Sequence, residues 1–110
     1  MGKGLRIAIL DSGVDASHPD IAPNLALNLS EIDQTALPSI CDDGSPSDQT
    51  GHGTWTASLA AGALGPGTGL IAGVAPQATI LNIKVLERLP ATLTATDPTA
   101  PLSLDTKPAR

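Results

Sequence analysis

Two near-continuous apolar runs constrain this chain more than anything else in it. They are Leu5-Arg6-Ile7-Ala8-Ile9-Leu10 and Thr79-Ile80-Leu81-Asn82-Ile83-Lys84-Val85-Leu86. Runs of this kind, rich in β-branched residues, belong to parallel strands covered on both faces. Between them, Leu25-Ala26-Leu27-Asn28-Leu29 places leucines at alternate positions and reads as a shorter strand. A run of helix formers, Leu59, Ala60, Ala61 and Ala63, follows Thr50-Gly51-His52-Gly53-Thr54 and is stopped by Gly65-Pro66-Gly67. Thr50 is the expected N-cap, with Thr54 as the alternative. Strand, loop, strand, loop, helix, loop, strand is an α/β arrangement around a small parallel sheet.

At 110 residues the chain suits one small domain. Its core must come from aliphatic side chains, since it has one Trp and neither Phe nor Tyr. Such a core buries less area per residue than an aromatic one. The formal charge of −5 is concentrated in the first fifty residues, where eight acids face only Lys3 and Arg6. Nothing in that balance attracts nucleic acid or an anionic membrane. No apolar run is long enough to span a bilayer, and the N-terminus lacks a signal-peptide pattern. Cys41 is the sole cysteine, so no internal disulfide forms, and the flanking Asp42 and Asp43 work against a reactive thiolate.

Two residues stand where chemistry is expected. Asp11 ends the first strand, at the C-terminal edge where open α/β sheets place functional groups. The plainer reading is a turn aspartate bonded to its own backbone. His52 lies between two glycines at a helix start, open to close approach by a second group. The positive end of the helix dipole disfavours imidazolium there, and a neutral imidazole can accept a proton. The plainer reading is a histidine in a glycine turn with no chemical role. Asp15, His18 and Asp20 follow no standard metal-ligand spacing and read as a solvated loop face. Residues 62–73 carry five glycines but lack the Lys-Ser/Thr of a phosphate-binding loop. An aspartate-phosphorylating domain would need a second carboxylate two residues after Asp11, where Gly13 stands.

Beyond Leu86 no apolar period survives. Residues 87–110 hold four prolines and five threonines and read as a linker or disordered tail, distinct from residues 1–86. A shift of reading frame near Glu87 would produce a similar stretch.

Ile7-Ala8-Ile9-Leu10-Asp11-Ser12-Gly13-Val14-Asp15-Ala16-Ser17-His18-Pro19-Asp20-Ile21 resembles the catalytic-aspartate segment of subtilisin-like serine proteases (the subtilases, peptidase family S8). Asp48-Gln49-Thr50-Gly51-His52-Gly53-Thr54 resembles their catalytic-histidine segment, and Ala72 to Ala78 with Ile83 to Leu86 resembles the stretch that follows. The order and spacing match across about residues 5 to 86. The resemblance implies a partial subtilisin-like parallel sheet in a three-layer α/β domain. It implies a cofactor-free serine endopeptidase acting on peptides or proteins, with Asp11 as the orienting acid and His52 as the general base of a Ser-His-Asp triad.

Three departures qualify it. Trp55 stands where the family usually has a second histidine. Asp20 falls where some members have a calcium ligand, but residues 64–71 lack the asparagine those members use, so no metal site is carried over. None of the eight serines lies in a G-T-S-M-A-like segment, where the family keeps its nucleophile, and the oxyanion-hole asparagine is missing with it. The chain therefore reads as the first part of a catalytic domain cut at both ends, expected to be inactive alone. The alternative is a non-catalytic remnant or a peptide-binding or protein-binding module. A half-sheet of this kind leaves an apolar edge and face that favour self-association. The resemblance implies export, against the missing signal pattern.

Overall fold

A computed structural model describes residues 1–33, 42–64 and 72–88, together with the backbone of residues 106–108. Strand β1 (Arg6–Asp11) is followed by one 3₁₀ turn (Ala22–Asn24) and strand β2 (Leu25–Ser30). Helix α1 (His52–Ala61) precedes strands β3 (Thr79–Lys84), β4 (Leu86–Arg88) and β5 (Thr106–Pro108). The first three strands form a parallel sheet in the order β1-β3-β2. This is the α/β class expected from the apolar runs. The register sets Ile9 beside Asn82 and Asp11 beside Lys84, so Asp11 sits level with the last residue of the central strand. Cys41 and the Gly65-Pro66-Gly67 stop lie outside the described residues.

One face of the sheet meets α1. Ile9, Val14, Ile21, Ala57, Ala61, Ala78 and Ile80 form its buried core. Ala57 and Ala61, one turn apart, let the helix approach the sheet closely because their side chains end at Cβ. Burial on both faces is not met among the described residues. By register, Ala8, Leu81 and Leu27 form one row on the second face, and Leu10, Ile83 and Leu29 form the next. Leu10 is 59 % exposed and Leu29 44 %. The face that a third layer would cover is open in the described part of the chain.

The helix differs from expectation at both ends. Its N-cap is Gly51, at φ 91°, and not Thr50 or Thr54; no side chain of the cap residue closes the first turn. That left-handed φ suits glycine, which has no Cβ to clash. The helix ends at Ala61, before the Gly65-Pro66-Gly67 signal. Tertiary partners take over its last turn there. Gly73, Val74 and Ala75 donate their N–H groups to the carbonyls of Gly62, Leu59 and Ala60. The carbonyl and carboxylate of Asp20 accept from the N–H groups of Ala63 and Leu64. Carbonyls left open by the helix are thus satisfied from outside.

The third long strand stops at Lys84, before the apolar run ends; the Val85 N–H still donates to the Asp11 carbonyl at 2.8 Å, in step with the β1–β3 ladder. Glu87 and Arg88, the first residues of the Pro/Thr-rich stretch, lie in β4, antiparallel to β5. The rest of that stretch falls outside the described residues.

Candidate active site

The two residues singled out at the strand end and the helix start lie side by side. Asp11 is buried, and its carboxylate oxygens sit 2.8 and 2.9 Å from His52 Nδ1. A carboxylate only accepts, so Nδ1 carries the proton. The Ser12 N–H donates to Asp11 Oδ1 at 2.7 Å, fixing the carboxylate from the other side. The imidazole side chain is 62 % exposed, and its Nε2 has no hydrogen-bond partner among the described residues. A base held at one nitrogen and open at the other can take a proton from an approaching group. The Trp55 ring packs edge-to-face against the imidazole, with centroids 6.4 Å apart.

Two glycines allow this approach. A Cβ at Gly53 would land on the Gly13 carbonyl, and one at Gly13 would meet the carbonyl oxygens of Pro46 and Ser47. Gly53→Ala is expected to push α1 off the β1 end and cost about 1–3 kcal/mol, as other overpacked contacts do. Urea denaturation checks it, and an unchanged midpoint would show that the backbone yields freely.

Asp48 is the acceptor for the first turn of α1. Its Oδ1 accepts from the Ser12 hydroxyl at 2.8 Å and from the N–H groups of Gly51 and Thr50 at 2.8 and 3.1 Å. Its Oδ2 accepts from the Thr54 N–H at 2.9 Å and the Thr54 hydroxyl at 2.6 Å. Burial works to raise the Asp48 carboxyl, but the bonds from Thr54, Gly51 and Ser12 outweigh it and hold the group below the ordinary carboxylate value. A carboxyl lowered in the folded state stabilises above its unfolded value, about 3.9, and that contribution fades as pH falls through the lower folded value. The Gly51 and Thr54 amides should therefore stay protected from hydrogen exchange at the ordinary carboxylate value and open only in stronger acid, as pH falls through the lower folded value. Protection that persists unchanged into strong acid would rule this out.

The loop carrying Asp48 is tied down by two buried polar side chains of β3. Asn82 Nδ2 donates to Asn28 Oδ1 at 2.7 Å and to the Pro46 carbonyl at 3.1 Å. Lys84 Nζ pairs with Asp42 Oδ1 and donates to the Ser47 carbonyl, both at 2.8 Å. Neither Asn82 nor Lys84 was singled out from the sequence, nor was Ser12 or Asp48. The available signal was two polar residues, two apart, on one face of an otherwise apolar strand. Beside the pair, Val14, Asn28, Pro46, Ser47, Asp48 and Gln49 line an open cleft of about 380 Å³; Asp11 and His52 are not in its walls.

Asp15 and His18 serve the local backbone, whereas Asp20, expected on a solvated loop face, is buried and its carboxylate serves the distant end of α1. Asp15 accepts from the Ser17 hydroxyl and amide, which lower its carboxyl, and the Asp20 N–H donates to His18 Nδ1. Among the described residues, no three His, Cys, Asp or Glu side chains gather in a way that could hold a metal ion. No helix among them is long and apolar enough to cross a membrane.

Known proteins share this arrangement of segments. Residues 2–100 match the model of the subtilase family (Peptidase_S8). The chain is 40 % identical over 86 residues to thermitase of Thermoactinomyces vulgaris, which covers 78 % of this chain and 28 % of the relative. It is 39 % identical over 89 residues to the major intracellular serine protease of Bacillus subtilis, covering 77 % of this chain and 25 % of the relative. A subtilisin of Bacillus sp. strain TA39 is 38 % identical over 85 residues. The chain spans about a quarter of the length of the first two relatives. The family match spans residues 2–100, which include Asp11 and His52, and the relatives are 40 % and 39 % identical over more than three quarters of the chain: the protein belongs to the subtilase family.

Proposed function

We propose that these residues carry the acid and base of a serine endopeptidase that acts on peptides or proteins. Asp11 orients His52 and stabilises its imidazolium. His52 Nε2 accepts the proton of a serine hydroxyl as that oxygen attacks the scissile carbonyl, then returns it to the leaving amine. The observation that carries this reading is the contact of Nδ1 with both carboxylate oxygens, beside an Nε2 open to its surroundings. The nucleophile and the oxyanion-hole asparagine belong to a segment outside the 110 residues, so this chain alone is inactive. Ser12 supports that view. It is the serine nearest the pair in sequence, yet it is buried, and its hydroxyl is spent between Asp48 and the Gly53 N–H.

Peptide hydrolysis by the purified chain, with fluorophosphonate labelling, tests the proposal. Neither cleavage nor a labelled serine is expected. A chimera that joins residues 1–86 to the remaining catalytic domain of a subtilase should cleave and should label at the supplied serine. Cleavage by the unaided chain, with label on one of its own serines, would overturn the missing nucleophile. A folded, inactive chimera would overturn the role of the pair.

A second reading, a non-catalytic binding module, draws on the open apolar face bearing Leu10 and Leu29. It requires concentration-dependent association in sedimentation, and a clean monomer would count against it.

A further inference from the structure

We propose that Asp48 is a positioning residue for the acid–base pair, acting through α1 and Ser12 and not by contact with substrate. The proposal rests on the reading of Asp11 and His52 as that pair.

His52 is the first residue of α1, so the placement of the first turn decides where the imidazole stands. A helix start leaves its first N–H groups without partners inside the helix. Here the cap residue is a glycine with no side chain to supply. The acceptors come from residues outside the helix instead, and the His52 N–H donates to Thr50 Oγ1 at 3.4 Å. The Gly53 N–H donates to Ser12 Oγ at 2.9 Å, and the Thr54 N–H donates to Asp48 Oδ2 at 2.9 Å. The Ser12 hydroxyl, engaged as acceptor by Gly53, donates its own proton to Asp48 Oδ1. One carboxylate therefore holds both the residue after Asp11 and the turn that bears His52. The Thr54 hydroxyl extends the tie, donating to Asp48 Oδ2 and accepting from the Asp15 N–H at 2.8 Å.

The chemistry calls for a carboxylate at this node. Six donors converge on two oxygens, and only an ionised carboxylate accepts at both without offering a proton. An asparagine would turn an NH₂ group toward part of that set. A negative charge is also favoured at the positive end of a helix dipole. The carboxylate is itself located by the buried anchors of β3, since Asn82 and Lys84 hold the Pro46 and Ser47 carbonyls just before it.

The test reads the Asp11–His52 contact directly, without turnover. In the full chain, proton NMR of the imidazole nitrogens should show one strongly downfield Nδ1 proton. It belongs to His52, because His18 Nδ1 accepts from the Asp20 N–H and carries none. Asp48→Asn should make that proton exchange with water at least about tenfold faster, the scale of one lost charge-assisted hydrogen bond. The amides of β1 and β3 should keep their shifts. Ser12→Ala, which removes only the bridging hydroxyl, should act in the same direction. Asp15→Asn, which alters a neighbouring exposed carboxylate, should leave the proton unmoved. A native chain without the downfield proton would overturn the pairing of Asp11 with His52. A native chain that shows it, with an Asp48→Asn variant that keeps it sharp, would overturn the positioning role alone. If Asp48→Asn fails to fold, a sharp, unshifted proton in Ser12→Ala overturns it equally.

Discussion

His52→Ala in the chimera that joins residues 1–86 to a subtilase's remaining catalytic domain should lower kcat about a million-fold while leaving KM within a few-fold. That scale reflects loss of the group that takes the serine proton. The residual rate comes from binding and from oxyanion donors, which the alanine leaves in place. Asp11→Asn should cost less, about ten-thousand-fold, for a different reason. An amide in place of Asp11 can offer its NH₂ to Nδ1, which then becomes the acceptor, and the proton moves to Nε2. The nitrogen that must accept from serine is then occupied. The two losses should not add in the double variant, because both disable one proton transfer. Steady-state kinetics on a single peptide substrate decides it. A loss below about tenfold for His52→Ala would remove the base from the mechanism, since positioned general bases contribute about 10²–10⁴-fold.

The largest effect on stability should come from the buried ion pair behind the site. The Lys84 side chain is 0 % exposed and that of Asp42 is 1 %, with 2.8 Å between Nζ and Oδ1. Asp42→Ala would leave a buried ammonium with the Ser47 carbonyl as its hydrogen-bond acceptor and only the exposed Asp43 carboxylate as counter-charge. Breaking a pair of this kind costs about 3–5 kcal/mol, a large share of the roughly 5–15 kcal/mol that holds a small domain together. Replacing both partners, as Lys84→Met with Asp42→Leu, should cost far less, because no charge is left uncompensated. Chemical denaturation of the singles and the double measures the contrast. Equal losses in all three would mean that packing and not charge dominates at this position. The pair also carries function in this scheme, since the Ser47 carbonyl held by Lys84 immediately precedes Asp48.

Much of this was legible in the residues. The three main strands and the helix are short-range consequences of composition and period, so Leu5–Leu10, Leu25–Leu29 and the alanine-rich run announced them. Asp11 and His52 were legible because each stands at the end of an element, and because their flanking residues resemble a known pair of segments. The caps were not legible. Thr50 and Thr54 have the right side chains for an N-cap, but a turn closed by Asp48 and Ser12 needs a left-handed residue, and Gly51 supplies it. Lys84 stands in an apolar run with no local sign of the partner it needs. Its burial depends on Asp42, separated from it by 42 positions.

Local sequence therefore determined which segments become strands and helix, and marked the two side chains proposed as acid and base. Those outcomes depend on interactions among neighbouring residues. Tertiary structure alone decided that the two side chains meet, 41 positions apart, with one nitrogen of the base held and the other open. It also decided that an unremarked loop aspartate ties their segments together. Both depend on buried polar groups finding partners far along the chain. A buried donor or acceptor must be satisfied, and no pattern in the nearby residues says by which partner.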